Sequence, residues 1–88
     1  MLKDLLTPNH CSVLRYVALG YSNKQIAAKL FVSESTIKVR LKEILIRLKV
    51  KNRLQAAVIA ANFLDIQQKD IFDAAEEIRS EKEIYSDI

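Results

Sequence analysis

Tryptophan is absent from this sequence, and glycine, proline, cysteine and histidine each occur once. So few turn-formers cannot supply the many tight reversals of a strand-rich sandwich. With 50% of the residues hydrophobic, the composition favours helices joined by short turns, an all-α chain. A lone Cys11 excludes an internal disulfide and suits a reducing compartment, and with His10 as the sole histidine no Cys/His cluster can ligate a metal. Neither a nucleophile with its base nor a glycine-rich phosphate cradle can be assembled, so an enzyme is excluded and no cofactor is implied. His10 and Cys11 read as packing or surface residues. The longest uncharged run, residues 54–64, falls far short of the roughly 20 residues of a membrane span. Asp4 and Pro8 interrupt the start where a signal peptide needs a continuous apolar stretch. No membrane partner is implied, and the reading is cytoplasmic. At 88 residues the chain can bury one small core.

Charge is unevenly placed. Residues 1–64 hold 11 Lys/Arg against 3 Asp/Glu, a net +8, whereas residues 65–88 hold 3 against 8, a net −5. The first part seeks an anion and the second does not, which divides the chain into a domain at 1–64 and an acidic tail at 65–88.

Helix signals recur along the first part. Thr7 followed by Pro8 is a capping hydroxyl and a first-turn proline, Val13, Leu14, Val17 and Ala18 continue with helical spacing, and Gly20 closes the element. Ser22 with Gln25 forms a capping box before Ile26, Ala27 and Leu30. Phe31-Val32 is a tight apolar link, and Ser33 caps a third helix without a breaker up to Leu48. In that helix Ile37, Leu41, Ile44 and Leu48, widened by Leu45, form a seam that faces the core. Ser35, Lys38, Val39, Lys42, Ile46 and Lys49 fall on the opposite side, and Glu43 can pair with Arg47 one turn on. Asn52 with Gln55 starts a fourth helix, which is apolar nearly all round. Leu54, Ala57, Val58, Ala61 and Leu64 make the face expected inside; Ala56, Ile59, Ala60 and Phe63 make a second face that needs a partner, another copy or the chain's own tail. In the tail, Ile71, Ala75, Ile78 and Tyr85 follow an amphipathic helical pattern among acids.

Two helices joined by a short turn, the second basic and hydroxyl-rich near its start, make a helix-turn-helix arrangement. A helix fits the major groove of double-stranded DNA, where Lys donates to guanine O6 and N7 and a small apolar chain touches a thymine methyl. Lys38 and Lys42 therefore point at base edges. Ser33, Ser35 and Thr36 add short donors, and the N–H groups of the helix's first turn attract a phosphate.

The segment "LTPNHCSVLRYVALGYSNKQIAAKLFVSESTIKVRLKEILIRLKVKNRLQAAV", residues 6–58, resembles the LuxR-type helix-turn-helix found at the end of many bacterial response regulators and quorum-sensing regulators. The combination of "LTP", "GYSNKQIA", "SESTIKV" and "VKNRLQAA" carries the likeness, in wording similar to that of nitrate-type response regulators. The resemblance implies a four-helix domain in a two-component transcription regulator, whose third helix reads the major groove and whose fourth pairs two copies. Residue by residue it places Lys38, Val39 and Lys42 at bases. It places Asn23, Lys24, Ser33, Thr36, Lys51 and Arg53 at the DNA backbone, with Ser35, Arg40 and Lys49 as further backbone candidates. Ala56, Ile59, Ala60 and Phe63 are the expected homodimer contacts, and RNA polymerase is a further candidate partner. Three positions depart from the family pattern. Asn9-His10 stands where Arg-Glu is common, which should weaken the first cap; Arg40 replaces a histidine; Lys49 replaces a glycine, so that helix must close at a conformational cost. A rival reading is a stand-alone interaction module that pairs with another regulator through the fourth helix. In a further alternative the tail folds back over that helix with Ile71, Ala75 and Ile78.

Overall fold

The computed structural model describes residues 2–86, with side chains described for 4–81. Among the described residues every regular element is a helix: α1 (Leu2–Leu5), α2 (Pro8–Ala18), α3 (Asn23–Leu30), α4 (Glu34–Leu48), α5 (Arg53–Phe63) and α6 (Gln68–Ser86). The all-α expectation holds, the tail helix included, and the element the sequence did not signal is the single turn of α1. None of these helices is long and apolar enough to cross a membrane.

The starts of α2 to α5 each have a local cause. The Thr7 hydroxyl accepts from the His10 N–H at 3.2 Å, and Ser22 Oγ accepts from Gln25 N–H at 3.2 Å while Gln25 Oε1 accepts from Ser22 N–H at 2.8 Å. Ser33 Oγ accepts from Thr36 N–H at 3.1 Å, and Asn52 Oδ1 from Gln55 N–H at 2.9 Å. These bonds satisfy donors that a helix leaves without an internal partner, so the turns between helices can be short. The expected weak cap at Thr7 is corrected: His10 completes the box, its Nδ1 accepting from Thr7 N–H at 3.2 Å. An imidazole nitrogen serves here as well as a carboxylate, because only one acceptor is required.

The helix ends cost more. Gly20 takes φ +96° after α2, a conformation open to glycine. Phe31 closes α3 at φ 58° and Lys49 closes α4 at φ 57°, both left-handed without being glycine. The cost foreseen at Lys49 is therefore present, and a second one sits at Phe31, whose ring is 93% exposed.

The core is built around α2. Val13, Leu14 and Val17 are buried, with Ile26 and Ala27 of α3, Ile37, Leu41 and Ile44 of α4, and Ala56 and Ala60 of α5. Leu45 and Leu48 pack at its edge, so the α4 seam is oriented as expected. The face assignment for α5 is corrected. Ala56 and Ala60 are fully buried, whereas Leu54 is 72% and Val58 55% exposed. Small side chains on the inner face let α5 approach α2 closely, and the larger ones then have no room inside. Ala57 and Leu64 of the expected inner face do pack against the core, so the helix is turned by about a quarter of a turn from the expectation.

Helix α6 does not cover α5. It lies over a cleft bordered by Arg15, Tyr16, Leu19, Tyr21 and Leu30, into which Ala74 is buried, and Ile78 packs beside Gly20. The expected inward stripe is shifted, since Ile71 is 52% exposed and Ala75 is half-buried. The Tyr85 side chain lies outside the described residues.

Leu41 is in the seam that sets the rotation of α4. Leu41→Ala is expected to lower the unfolding free energy by about 2 to 5 kcal/mol, measured by urea denaturation. An unchanged midpoint would show that α4 does not pack on this face.

Candidate nucleic-acid interface

With Ile37 and Ile44 fully buried and Leu41 nearly so, the helical repeat leaves α4 one outward surface. Ser35, Lys38, Val39, Lys42, Ile46 and Lys49 are all exposed there, Val39 at 58% and Ile46 at 65%. Lys38, Val39 and Lys42 thus sit together on the exposed side of α4, within its first two and a half turns. Two cations flank an apolar spot, a pattern suited to the acceptors and methyl groups of a groove floor.

The start of α4 borders this surface. Ser33 Oγ is engaged in capping and lies 2.9 Å from Thr36 Oγ1, so these two hydroxyls support each other. Ser35 is exposed and Thr36 half-buried, and both border a shallow groove with Val39, Arg40 and Glu43. Lys24 at the first turn of α3 and Lys51 before α5 are exposed as well.

Two expected backbone-contact residues are committed to the fold. Arg53 is half-buried, and its guanidinium donates to Asn23 Oδ1 and to the Tyr21 carbonyl, each at 2.5 Å. Burial pulls its pKa down from the usual arginine value. Arg53 therefore braces the starts of α3 and α5 against each other, and the Asn23 oxygen is consumed in the same brace. A cation beside an Asn does not disclose such a bond in sequence, because the two residues are 30 apart.

Glu43 also has a different partner from the one expected. Its Oε1 accepts from His10 Nε2 at 2.9 Å, while Arg47 reaches back to the Leu5 carbonyl at 3.3 Å. Since His10 Nδ1 accepts from Thr7, the proton of the neutral ring is on Nε2, which can then donate to Glu43. His10 is 4% exposed, so the buried imidazole links the start of α2 to the middle of α4. That link holds the rotation of the basic surface. The only hint in the sequence was His10 itself at a capping position.

On the α5 side, Leu54, Val58 and half-buried Ile59 form an apolar strip beside Lys49, Val50 and Lys51. Of the expected dimer contacts, Ala56 and Ala60 are inside the chain's own core and are withdrawn. Phe63, 60% exposed, is at the helix end.

Comparison with known proteins adds a family. Residues 4–60 match the family described as bacterial regulatory proteins, luxR family. The chain is 50% identical over 56 residues to a nitrate/nitrite response regulator protein homolog of Haemophilus influenzae, covering 64% of this chain and 27% of that protein. It is 45% identical over 53 residues to the nitrate/nitrite response regulator protein NarL of Escherichia coli, covering 60% of this chain and 24% of the relative. With the HTH-type transcriptional regulator AlkS of Pseudomonas putida the identity is 47% over 57 residues, 65% of this chain and 6% of that protein. The chain thus spans about a quarter of the length of the nitrate regulators.

The hydrogen bond from His10 holds the Glu43 carboxyl below the usual glutamate range, helped by the charges of Arg47 and Arg40. A depressed folded-state pKa contributes stability above the unfolded value and loses it as pH falls through the folded one. The stability gap between the native chain and Glu43→Gln is therefore expected to be present at neutral pH and to close on acidification below the ordinary glutamate pKa. Thermal melts across that range check it, and a gap independent of pH would contradict it.

Proposed function

The chain belongs to the luxR family of bacterial regulatory proteins, and from that premise we propose that it is a sequence-specific DNA-binding transcription regulator, or the output part of one, acting in the bacterial cytoplasm. The observation that supports this most is the α4 surface, where Lys38, Val39 and Lys42 stand exposed over a fully packed inner seam. A helix held so rigidly on one side can enter a major groove without losing its order. Lys38 and Lys42 donate to base edges and Val39 meets a thymine methyl. Lys24, Ser35, Arg40, Lys49 and Lys51, with the first turns of α3 and α4, hold phosphates and fix the register.

The outward strip of α5 supports pairing. Leu54 and Val58 are one turn apart and exposed beside Ile59, and a second copy docked there would bury all three. Two copies joined through this strip carry two α4 helices to half-sites about one helical turn of DNA apart, so the operator is a paired site. Val58→Asp should then abolish cooperative occupation of two half-sites while leaving single half-site affinity in place. RNA polymerase contact belongs to the same proposal, and a response to a signal is motivated by the relatives named response regulator proteins.

Selection from a random DNA pool supplies the operator, and titrations on it separate readers from positioners. Lys38→Ala or Lys42→Ala is expected to cost about 1 to 3 kcal/mol on the preferred site and to relax discrimination at one base pair. Lys51→Ala should weaken all sequences alike and make the salt slope shallower by about one. Identical behaviour of the two classes across operators would refute this division of roles.

A further inference from the structure

Helix α6 lies beyond the part of the chain that matches the family, and its bonds to the rest follow a regular scheme. Arg15 donates to the Asp65 carbonyl at 2.7 Å and to Asp70 Oδ2 at 2.9 Å, which anchors the near end to α2. Further along, Lys29 donates to Glu77 at 2.8 Å, and Gln25 donates to Glu81. Gln25 and Lys29 are one turn apart on α3, and Glu77 and Glu81 are one turn apart on α6, so the two helices are cross-linked in antiparallel order. Tyr21 hydroxyl, 3.4 Å from Glu77, and the Lys29 ammonium, 5.1 Å from the Tyr21 ring centre, close the group. Ala74, 1% exposed, is the apolar anchor beneath.

This scheme takes the far end of α6 to the edge of the basic surface. Ile78 borders a concavity shared with Ser22, Asn23, Lys24, Glu34 and Arg53, where the first turns of α3, α4 and α5 meet. Glu81 is bonded to Gln25 at its rim. A DNA backbone held by Lys24 and the first turn of α3 would pass the same edge. Two carboxylates are thus fixed beside it, one of them already neutralising Lys29.

We propose that α6 is an acidic clasp that competes with DNA phosphates for the α3 edge of the interface, lowering backbone affinity without touching the base-reading face of α4. The proposal rests on the DNA-binding reading above. Its consequence is a weaker hold on every sequence. Lys38, Val39 and Lys42 keep their access to bases, so discrimination between sequences is preserved while the general attraction of a net +8 domain for any polyanion is restrained. Glu77 and Glu81 act through their charge and their position, and Ala74 and Arg15 act by holding the helix in place.

The test uses the full chain with Glu77→Gln and Glu81→Gln together, which keeps side-chain length and hydrogen-bonding capacity while removing two charges. Anisotropy titrations on the selected operator and on a random duplex should show roughly three- to tenfold tighter binding to both at low salt, the gain fading as salt screens it. Asp73→Asn with Glu76→Gln changes the net charge equally from elsewhere on the same helix and is expected to produce less than half that gain. Ala74→Gln, which lifts α6 from its cleft with every charge unchanged, should also tighten binding, and this arm covers the case in which the double variant loosens the helix. No tightening in the double variant, or an equal gain in the control pair, would overturn the clasp. If no form of the chain binds either duplex at low salt, it is the DNA-binding reading that fails, and the clasp with it.

Discussion

The rotation of α4 about its own axis is the constraint on which the rest depends. Ile37 and Ile44 have no exposed surface and Leu41 very little, so the helix cannot turn without bringing apolar groups into water. The buried His10 ring adds a directional bond to Glu43 on the flank, where burial alone leaves some freedom. With that angle settled, Lys38, Val39 and Lys42 share the outer surface by helical geometry alone, and no bond of their own is needed to hold them there.

Other features serve to keep that helix in place within a small core. Alanines at 56 and 60 bring α5 against α2, and α2 in turn supports α4. The Arg53 bonds tie the beginnings of α3 and α5 together, so the turns that border the basic surface are held from inside. Two non-glycine residues in left-handed conformation, Phe31 and Lys49, are tolerated at the ends of α3 and α4. Each costs something of order 1 kcal/mol, which the capped helix starts and the packed seam offset. Helix α6 adds an acidic face at one edge of the same unit, through side-chain bonds to α2 and α3.

What could be read from the sequence was local. Caps at Ser22, Ser33 and Asn52, the α4 seam and its lysine side are each set by residues within a few turns of one another, and the structure has them as expected, while the cap at Thr7 is stronger than expected. What was misread depended on distant neighbours. Whether Ala56 or Leu54 faces inward is decided by how closely α2 approaches, and periodicity cannot report that. Arg53 looks like any exposed cation until Tyr21 and Asn23 are beside it. His10 was visible as a departure from the family pattern, yet its value to the fold lies in Glu43, 33 residues away. The docking of α6 depends on pairs separated by 48 to 56 residues, beyond the reach of any local pattern.

The central claim is that DNA is met by the outer surface of α4, with the first turn of α3 at its edge. Amide chemical-shift mapping by NMR, with the isotopically labelled full chain titrated against the selected operator, tests it most directly. The account requires the largest changes in residues 33–42 and around Lys24 and Lys51, with the buried centre of α2 little affected. Changes confined to α5 and α6, with the amides around Lys38 and Lys42 unmoved at saturation, would contradict it.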